Sequence, residues 1–456
     1  MSLRKNTLPP MSITRSDLII IGAGPGGYET AALAAHQGQR VTLIERDQLG
    51  GTCLNRGCIP TKALCASASR ILAVRDASQF GVEIPDGWHA DFSAAAARMH
   101  QVVSGLREGV AQELSKVDIV RGTARLASTG ASVWVGEEQY MADRLIIATG
   151  SVPSQLPISG AELAMTSDTL LSLDTLPASI AIIGGGVIGM EFACILAAFG
   201  VDVTVLEFCK EILPPFDRDI AKRLRSLLSR RGIRIVTDAR VTSIAKEADA
   251  SLTVSYEAKG KAQTLSVESS LMAVGRKACL PAGTEEAGIK VDSRGFIMVD
   301  DDYRTSREHI YAIGDVNGRC MLAHAATAQG RYVMGADVNL RVIPSALFTE
   351  PEAAMVGLTE EQCAERGIHY RVSRAMYASC GKAVAMGETQ GFVKLISEYN
   401  GGAIIGCHIL GAHAADLVQE AATAMASSLT VRDLAAAVHT HPSLSEVLWH
   451  AALPAL

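Results

Sequence analysis

Residues 17–27 read Asp-Leu-Ile-Ile-Ile-Gly-Ala-Gly-Pro-Gly-Gly, an aliphatic strand followed at once by a glycine-rich turn. The turn has the spacing G-x-G-x-x-G and leads into an alanine-rich helix, predicted over Tyr28–Gln37. A second strand, predicted over Arg40–Ile44, ends at Glu45. Glycines at this spacing let the backbone approach a pyrophosphate at a helix N-terminus, and an acidic residue about twenty positions later can bind a ribose. The stretch therefore predicts a β-α-β unit that binds a dinucleotide, rather than a plain glycine turn.

The same unit recurs later in the chain. A strand predicted over Ile180–Ile183 runs into the glycine-rich turn Gly184–Gly189, a helix follows, and a strand over Asp202–Leu206 ends at Glu207. A repeated fingerprint implies two dinucleotide sites, one for each of two cofactors. Glu207 suits the free 2′-hydroxyl of NAD, because an NADP site usually places an arginine there for the 2′-phosphate.

Composition and charge narrow the class of protein. The chain has 456 residues, too long for one ordinary domain, and the length predicts about three domains. Its net charge of −6 argues against a nucleic-acid surface. Its ten cysteines are spread thinly, as expected for a cytoplasmic protein in a reducing compartment. The apolar run Ala178–Leu206 raises the alternative of a membrane span. Its glycines, with Glu191 and Asp202, favour strand–turn–helix–strand, and no membrane association is expected.

Two cysteines lie between the fingerprints. Residues 50–62 read GGTCLNRGCIPTK, with Cys53 and Cys58 beside the predicted start of a helix. The positive end of a helix dipole favours a thiolate, and Lys62, four residues after Cys58, shares its face of the helix. These features favour a dithiol/disulfide redox centre. A zinc site would need a second ligand pair, and nearby there is only Cys65; a pair of inert buried cysteines is the other alternative.

The C-terminal segment carries a candidate acid/base pair. Residues 439–446 read HTHPSLSE, and His441 with Glu446 could form a base whose tautomer is fixed by a carboxylate. A structural alternative is a helix-capping box formed by Ser443 and Glu446.

The order of motifs predicts the domain organisation. A buried strand over Leu145–Ile147 closes the first nucleotide domain, and Ala273–Arg276 is expected to close the second. No fingerprint recurs after Ile343, where the pattern changes to strands (Phe392–Ile396 and Ala403–Leu410) and helices (Ala415–Ala426 and Val431–Ala437). We expect a disordered leader at 1–16 with Met11 as a possible start, a first nucleotide-binding part at 17–150, a second nucleotide-binding domain at 151–275, a return to the first at 276–342, and a third domain at 343–456.

Together these motifs resemble those of the dihydrolipoamide dehydrogenases, a family of flavin-dependent pyridine nucleotide–disulfide oxidoreductases. The similarity runs from about Asp17 to the C-terminus. It rests on GGTCLNRGCIPTK, both fingerprints, AIGDV (312–316), MLAHAA (321–326), FTEPEAAMVGLTEEQ (348–362) and HTHPSLSE. The resemblance implies an α/β fold with two Rossmann-like dinucleotide-binding domains, one for FAD and one for NAD, and a C-terminal α+β interface domain that forms a homodimer.

The resemblance also implies roles for individual residues. Cys53 would meet the substrate, and Cys58 would lie against the flavin. Lys62 would pair with Glu191 near the reactive flavin nitrogen. The contacts to FAD would come from Gly22, Gly24, Pro25, Gly26, Gly27, Glu45, Gly51, Thr52, Lys62, Thr149, Gly150, Asp315 and Ala323, and those to NAD from Gly184, Gly186, Gly189, Glu207 and Gly275.

His441, oriented by Glu446, would act as acid/base on the cysteines of the opposite subunit, and the peptide before Pro442 would be cis. No metal is implied. The role of Arg56, between the cysteines, is open: it could lower a thiol pKa or face solvent.

The implied reaction is oxidation of protein-bound dihydrolipoamide through a Cys53–Cys58 disulfide and FAD, with hydride passed to NAD. Partners would be the lipoyl domains of 2-oxo acid dehydrogenase complexes or a glycine cleavage lipoyl protein. Glu207 and the apolar Leu54 and Ile59 argue against a glutathione-type reductase, and the absence of a cysteine pair after Glu446 argues against a mercuric reductase. A flavin-binding regulator without turnover would not need the two cysteines or the histidine–glutamate pair.

Overall fold

The computed structural model describes residues 13–399 and 402–455. Strands and helices alternate through the first half of the chain, as the repeated β-α-β pattern predicts. The strands are β1 (Ile13–Ile21), β2 (Val41–Glu45), β3 (Asp118–Arg121), β4 (Ala124–Leu126), β5 (Ser132–Val135), β6 (Glu138–Ile147), β7 (Ser151–Pro153), β8 (Ser179–Ile183), β9 (Asp202–Leu206), β10 (Arg234–Val236), β11 (Ala239–Lys246), β12 (Leu252–Ala258), β13 (Lys261–Val267), β14 (Ser269–Met272), β15 (Arg276–Ala278), β16 (Ile310–Ala312), β17 (Ser345–Leu347), β18 (Ala353–Gly357), β19 (Tyr370–Met376), β20 (Phe392–Glu398) and β21 (Ile404–Leu410).

The helices are α1 (Pro25–His36), α2 (Gly51–Arg56), α3 (Cys58–Arg75), α4 (Phe92–Glu113), α5 (Ser167–Leu170), α6 (Val187–Ala198), α7 (Arg218–Arg230), α8 (Ala323–Val333), α9 (Glu360–Glu365), α10 (Gly381–Ala385), α11 (Ala414–Ala426), α12 (Val431–Ala436) and α13 (Ser445–Ala452). Short 3₁₀ turns occur at Ala77–Phe80, Ala161–Leu163, Gly314–Asn317, Tyr377–Ser379 and Leu453–Ala455.

The chain divides into two compact units. The first takes in the chain up to Ile59, Gln101–Val152 and Arg276–Val338, and the second takes in Pro60–His100, Pro153–Gly275 and the chain from Asn339 onwards. Residues 60–100, expected with the first nucleotide-binding part, belong to the second unit because Ala63, Leu64 and Met99 are buried in its largest apolar cluster. The finer division at 151, 276 and 343 stays a prediction.

The first unit is built on a mostly parallel sheet. Its strand order is β3-β2-β1-β6-β5-β4, and β16 also pairs with β6. The strands β1, β2, β3, β6 and β16 run parallel, whereas β4 and β5 pair antiparallel with their neighbours. Aliphatic side chains from β1 and β6, including Ile19, Leu145 and Ile147, form its core. This is the Rossmann-like arrangement that the first fingerprint predicts.

The first strand begins earlier than expected. It starts at Ile13, and its Thr14–Ser16 segment pairs in parallel with Tyr140–Ala142 of β6. The prediction of a disordered leader at 1–16 is therefore wrong for residues 13–16, because β6 is long enough to supply partners for their backbone groups. Residues 1–12, and with them the possible start at Met11, lie outside the described residues.

The second unit contains a parallel sheet of order β10-β9-β8-β14, built from the second fingerprint. The run Ala178–Leu206 folds into β8, α6 and β9, and within the described part of the chain we find no helix long and apolar enough to span a membrane. The closing strand is Ser269–Met272, so the prediction of a strand at Ala273–Arg276 is wrong. Gly275 has a φ of +110°, which breaks the extended backbone.

The rest of the second unit holds two antiparallel sheets. One is β11-β12-β13, and the other, after residue 343, has the order β17-β18-β21-β20-β19. Side chains from α11, α12 and α13 form an apolar core with this five-stranded sheet. The C-terminal part is thus α+β, as predicted.

Candidate active site

The first fingerprint is a tight turn between β1 and α1. Gly24 is the N-cap of α1, and Pro25, which has no N–H, is its first residue. The N–H groups of Gly27 and Tyr28 donate to the carbonyl of Gly24 at 2.9 Å, so the N–H of Gly26 is the one in the first turn without a carbonyl of the helix to bond. A Cβ on Gly27 would lie 1.9 Å from the carbonyl oxygen of Gly22. The second fingerprint repeats this contact, since a Cβ on Gly189 would lie 2.0 Å from the oxygen of Gly184. Both turns therefore need the third glycine for close packing of helix on strand.

The two acidic residues also occupy matching environments. The Glu45 carboxylate accepts hydrogen bonds from the N–H of Ala23 and the N–H of Asp47, both at 2.7 Å. Glu207 accepts from the N–H of Gly185 and, at 2.6 Å, from that of Cys209. Each carboxylate is buried and bridges its glycine turn to the end of the second strand. Each oxygen keeps a further lone pair with which it could bind a ribose hydroxyl.

The remaining predicted FAD residues of the first unit lie at strand ends and helix starts. Gly51 and Thr52 open α2, Thr149 and Gly150 follow β6, Asp315 follows β16, and Ala323 opens α8. The Thr149 hydroxyl is buried without a hydrogen-bond partner among the described residues. One oxygen of Asp315 accepts from Ser151 Oγ at 2.6 Å, and Arg276 Nε donates to that same hydroxyl at 2.7 Å. We did not predict Ser151 or Arg276, although Arg276 directly follows the predicted Gly275.

The cysteine stretch is joined directly to the first fingerprint. The N–H of Gly50 donates to the carbonyl of Ala23 at 2.8 Å, which holds the start of α2 against the glycine turn. Cys53 lies half-buried in α2, and Cys58 is exposed as the first residue of α3. Cys58 is therefore at a helix N-terminus, as predicted, where the dipole favours a thiolate.

Arg56 forms an ion pair with Asp47, two residues after Glu45. Its guanidinium therefore contacts a carboxylate of the first unit, and its effect on the thiol pKa stays a prediction. Sequence proximity could not reveal this pair, because Asp47 belongs to the loop after β2.

A cleft of about 520 Å³ opens beside Cys53 in the first unit. Its walls come from α1, α2, the first turn of α3, α4 and α8, and the part from α8 includes Ala323. The volume falls in the range of small-molecule sites. Cys53 lines this cleft and Cys58 does not.

In the second unit the structure brings Lys62 and Glu191 together. Lys62 Nζ lies 2.9 and 2.8 Å from the two oxygens of Glu191, which is buried. The N–H of Phe348 donates to the same carboxylate at 3.0 Å, and Lys62 Nζ lies 4.5 Å from the centre of the Phe348 ring. Phe348 was not predicted individually, although it opens the motif at 348–362. It fixes the pair by one hydrogen bond and one cation–π contact.

His441 and Glu446 are also paired. His441 Nδ1 lies 2.9 Å from Glu446 Oε1, and the peptide before Pro442 is cis. The Ser443 N–H donates to the other oxygen of Glu446 at 3.0 Å. That hydrogen bond, together with the one from His441, holds the pKa of Glu446 below its usual value. Glu446 thus has part of both predicted roles, because it orients the histidine and accepts a backbone hydrogen bond as a cap would. The Ser443 hydroxyl, the other half of the predicted capping box, contacts the Ser445 hydroxyl.

The His441 side chain is 78% exposed and Glu446 is 12% exposed. The imidazole is therefore exposed to solvent, whereas the Glu446 carboxylate that orients it is largely buried. Within the described residues, no group of three or more His, Cys, Asp and Glu side chains is arranged to hold a metal ion.

Comparison with known proteins agrees with this geometry. Residues 16–330 match the family described as "Pyridine nucleotide-disulphide oxidoreductase", and residues 343–452 match its dimerisation domain. The chain belongs to the pyridine nucleotide–disulphide oxidoreductase family. It is a flavoprotein oxidoreductase with a disulfide redox centre, and its cofactors are FAD and NAD. The family also accounts for the α+β domain after residue 343, which is a dimerisation domain.

Relatives within this family are similar over almost the whole chain. The chain is 37% identical over 450 residues to a dihydrolipoyl dehydrogenase of Chlamydia pneumoniae, covering 96% of each. It is 37% identical over 471 residues to a dihydrolipoyl dehydrogenase of Bacillus subtilis, covering 97% of this chain and 98% of the other. Among solved structures, the HOCl-induced flavoprotein disulfide reductase RclA from Escherichia coli matches with a TM-score of 0.84 and 30% identity, covering 96% of this chain and 99% of that one.

The residues present fit an FAD in the first unit. The buried Thr149 hydroxyl lacks a partner among the described residues, the α1 and α8 N-termini present N–H groups, and Asp315 has one oxygen outside its bond to Ser151. Ribose hydroxyls and phosphates of a dinucleotide would meet these groups. The second fingerprint and Glu207 repeat the glycine-turn and carboxylate contacts of the first, which agrees with the prediction that they bind NAD.

Proposed function

We propose that this protein is a dihydrolipoyl dehydrogenase, which oxidises a dihydrolipoyl dithiol to its disulfide and reduces NAD. The observation that carries the proposal is the unequal placement of the two cysteines: Cys53 lines a ligand-sized cleft, whereas Cys58, the first residue of α3, does not line it. An exchange cysteine that meets substrate and a second that does not is the arrangement this reaction needs. The near full-length relatives named dihydrolipoyl dehydrogenase support the same choice of substrate.

The oxidised enzyme would hold a Cys53–Cys58 disulfide. One substrate thiolate attacks the sulfur of Cys53, so a mixed disulfide forms and Cys58 leaves as a thiolate. The second substrate thiolate then attacks the substrate sulfur of the mixed disulfide and displaces Cys53. The products are the cyclic substrate disulfide and an enzyme with two reduced cysteines, so two electrons have passed to the protein. The helix dipole at Cys58 stabilises the leaving thiolate.

FAD, when bound, supplies two-electron chemistry between the reduced cysteine pair and NAD. Overall, one dithiol and one NAD⁺ give one disulfide, one NADH and one proton. Lys62 would place a positive charge toward the flavin, held there by Glu191 and Phe348.

His441 would accept the proton of the attacking thiol and later return it. We assign this role across the dimer, to the cleft of the second copy. The high exposure of the imidazole, its orientation by Glu446 and the fully exposed Val438 three residues earlier support this assignment. A histidine base that is oriented by a carboxylate in this way increases the reaction rate about a hundredfold or more.

The physiological substrate would be a lipoyl group on a partner protein, either a lipoyl domain of a 2-oxo acid dehydrogenase complex or a glycine cleavage lipoyl protein. We place the reaction in the cytoplasm, because the thin spread of ten cysteines fits a reducing compartment.

The first test replaces the exchange thiol. Cys53→Ser should retain bound FAD but lose oxidation of dihydrolipoamide with NAD by more than about a thousandfold. Cys279→Ser, at a half-buried cysteine outside the cleft, is the matched control and should keep wild-type activity. Retained turnover in Cys53→Ser would refute the proposal, as would wild-type protein that prefers glutathione disulfide and NADPH.

The second test addresses the dimer. Cys53→Ser and His441→Gln homodimers are each expected to be inactive. Refolding them together should restore about a quarter of wild-type activity, because half of the random dimers contain one intact site of two. Absence of recovery, with mixed dimers demonstrated by mass, would place Cys53 and His441 in the same subunit's site.

A further inference from the structure

Two charged side chains line the cleft that contains Cys53. Glu29 extends from the first turns of α1, and Arg331 lies in the last turn of α8. Glu29 is half-buried, whereas Arg331 is exposed. Solvent and salt screen an exposed charge more strongly than a half-buried one, so we expect the charge of Glu29 to act more strongly within the cleft than that of Arg331.

The Glu29 carboxylate is held by neighbouring side chains of the same cleft. Thr327 and Tyr28 hydrogen-bond to it, and Glu113 and Arg331 are the charged groups near it. Burial raises the pKa of Glu29, and the two hydroxyl groups and Arg331 oppose that rise. Burial is the largest of these effects, so the pKa of Glu29 lies above its usual value, and the hydrogen bonds from Thr327 and Tyr28 to the carboxylate limit the rise. Tyr28 is also close enough to Cys53 to interact with its charge, which places this cluster beside the exchange thiol.

The cleft must also hold the part of the substrate beyond the reacting dithiol. In a lipoyl group, a short hydrocarbon chain ends in a carbonyl carbon, which is a carboxylate in the free acid and an uncharged amide when attached to a lysine. With the dithiol at Cys53, this chain leads away along walls that include Glu29. A carboxylate tail would therefore approach a half-buried negative charge, but an amide tail would not.

We propose that Glu29 is a specificity-determining residue that favours dithiols with neutral or cationic tails over those whose tail is a carboxylate. The inference rests on the proposed function and deepens it: the cleft selects the amide-linked, carrier-bound form of the substrate against the free acid. The tail charge alters binding without changing the chemistry at Cys53.

The test uses three dithiols with the same reacting head: dihydrolipoate (anionic), dihydrolipoamide (neutral) and N-(2-aminoethyl)dihydrolipoamide (cationic). In wild-type protein, kcat/KM should rise in that order, with about a tenfold difference between acid and amide from one unit charge at partly screened range. The dithiol half-reaction, followed by the long-wavelength absorbance of the reduced holoenzyme, should show the same order. Raising the ionic strength should reduce the spread.

Glu29→Gln should bring the ratio of acid to amide at least about fivefold closer to one, while kcat/KM for the amide changes by less than about threefold. Glu29→Asp keeps the charge and should keep the wild-type ratio. Glu137→Gln removes an identical charge from an exposed turn outside the cleft and should leave all three substrates unaffected.

An unchanged ratio in Glu29→Gln, in protein with full flavin content, would overturn the inference and leave the proposed function intact. A ratio that shifts equally in Glu29→Asp would also overturn it, because charge would then not be the cause. Wild-type protein that fails to oxidise dihydrolipoamide would refute the proposed function, and the inference with it.

Discussion

The Lys394→Met substitution gives the strongest stability prediction, because Lys394 is the centre of a buried ion network in the second unit. Its Nζ lies 2.9 and 3.1 Å from the two oxygens of Asp217 and 2.9 Å from Asp219, and it also pairs with Glu360. The side chains of Lys394 and Asp217 are 2% and 0% exposed. Methionine matches the length of the lysine stem but leaves the Asp217 carboxylate buried with one remaining hydrogen bond, from the N–H of Asp219.

Removing one partner of such a pair costs about 3–5 kcal/mol of unfolding free energy, because the other charge is left uncompensated. For a unit of this size, that corresponds to a fall in Tm of about 5–8 °C. The measurement is thermal unfolding of the flavin-bound protein near neutral pH. The double variant Lys394→Met with Asp217→Asn should recover much of the loss, since asparagine still caps α7 and no charge remains buried.

The pH dependence provides an independent check. Burial alone would lower the pKa of Lys394, but its three carboxylate partners raise it above the usual value. For Asp219, burial alone would raise the pKa, but Lys394 holds it below the usual value. A lowered carboxyl pKa contributes stability above its unfolded value, which is lost as pH falls through the folded value. The difference in Tm between wild type and Lys394→Met should therefore be largest near neutral pH and shrink below the ordinary Asp pKa of 3.8. A loss below about 1 kcal/mol, or a double variant no more stable than Lys394→Met, would refute the reasoning.

Three further predictions concern the sites. Gly27→Ala should abolish stoichiometric FAD binding, because its Cβ would lie 1.9 Å from the Gly22 oxygen, whereas Gly109→Ala, with open space around it, should keep full flavin content. Glu207→Ala should raise KM for NAD at least about tenfold, because hydrogen bonds to a charged group are lost at the turn. The dithiol half-reaction, followed by stopped flow, should be unchanged. Equal kcat/KM for NAD and NADP in the wild type would contradict the assignment of Glu207. Glu446→Gln should lower the dithiol half-reaction about a hundredfold with dimer and flavin retained, because the orienting charge on His441 is lost; a decrease below about threefold would show that Glu446 acts only as a cap.

Motif-bearing elements could be predicted closely from the sequence. The strand at Asp202–Leu206 has the predicted bounds, and the strand predicted over Ile180–Ile183 begins one residue earlier, at Ser179. Strand–glycine–helix units are encoded within about thirty residues, so local pattern and turn chemistry suffice.

Contacts between distant segments were not predictable in this way. The sequence gives no sign that Phe348 lies over Lys62, that Arg56 meets Asp47, or that Lys394 lies against the start of α7. Each depends on which faces of separate elements meet. The strand residues Ile13–Ser16 were missed for a related reason: their pairing is set by the length of β6, more than a hundred residues later.

The paired environments of Glu45 and Glu207 have an evolutionary consequence. Each glutamate holds its own glycine turn through backbone hydrogen bonds, so the residue that we predict to bind the ribose also stabilises the loop. A single exchange to arginine at position 207 would change cofactor preference and dismantle the brace together. A change from NAD to NADP preference would therefore first require a compensating substitution in the turn, so a single substitution at position 207 would not be enough.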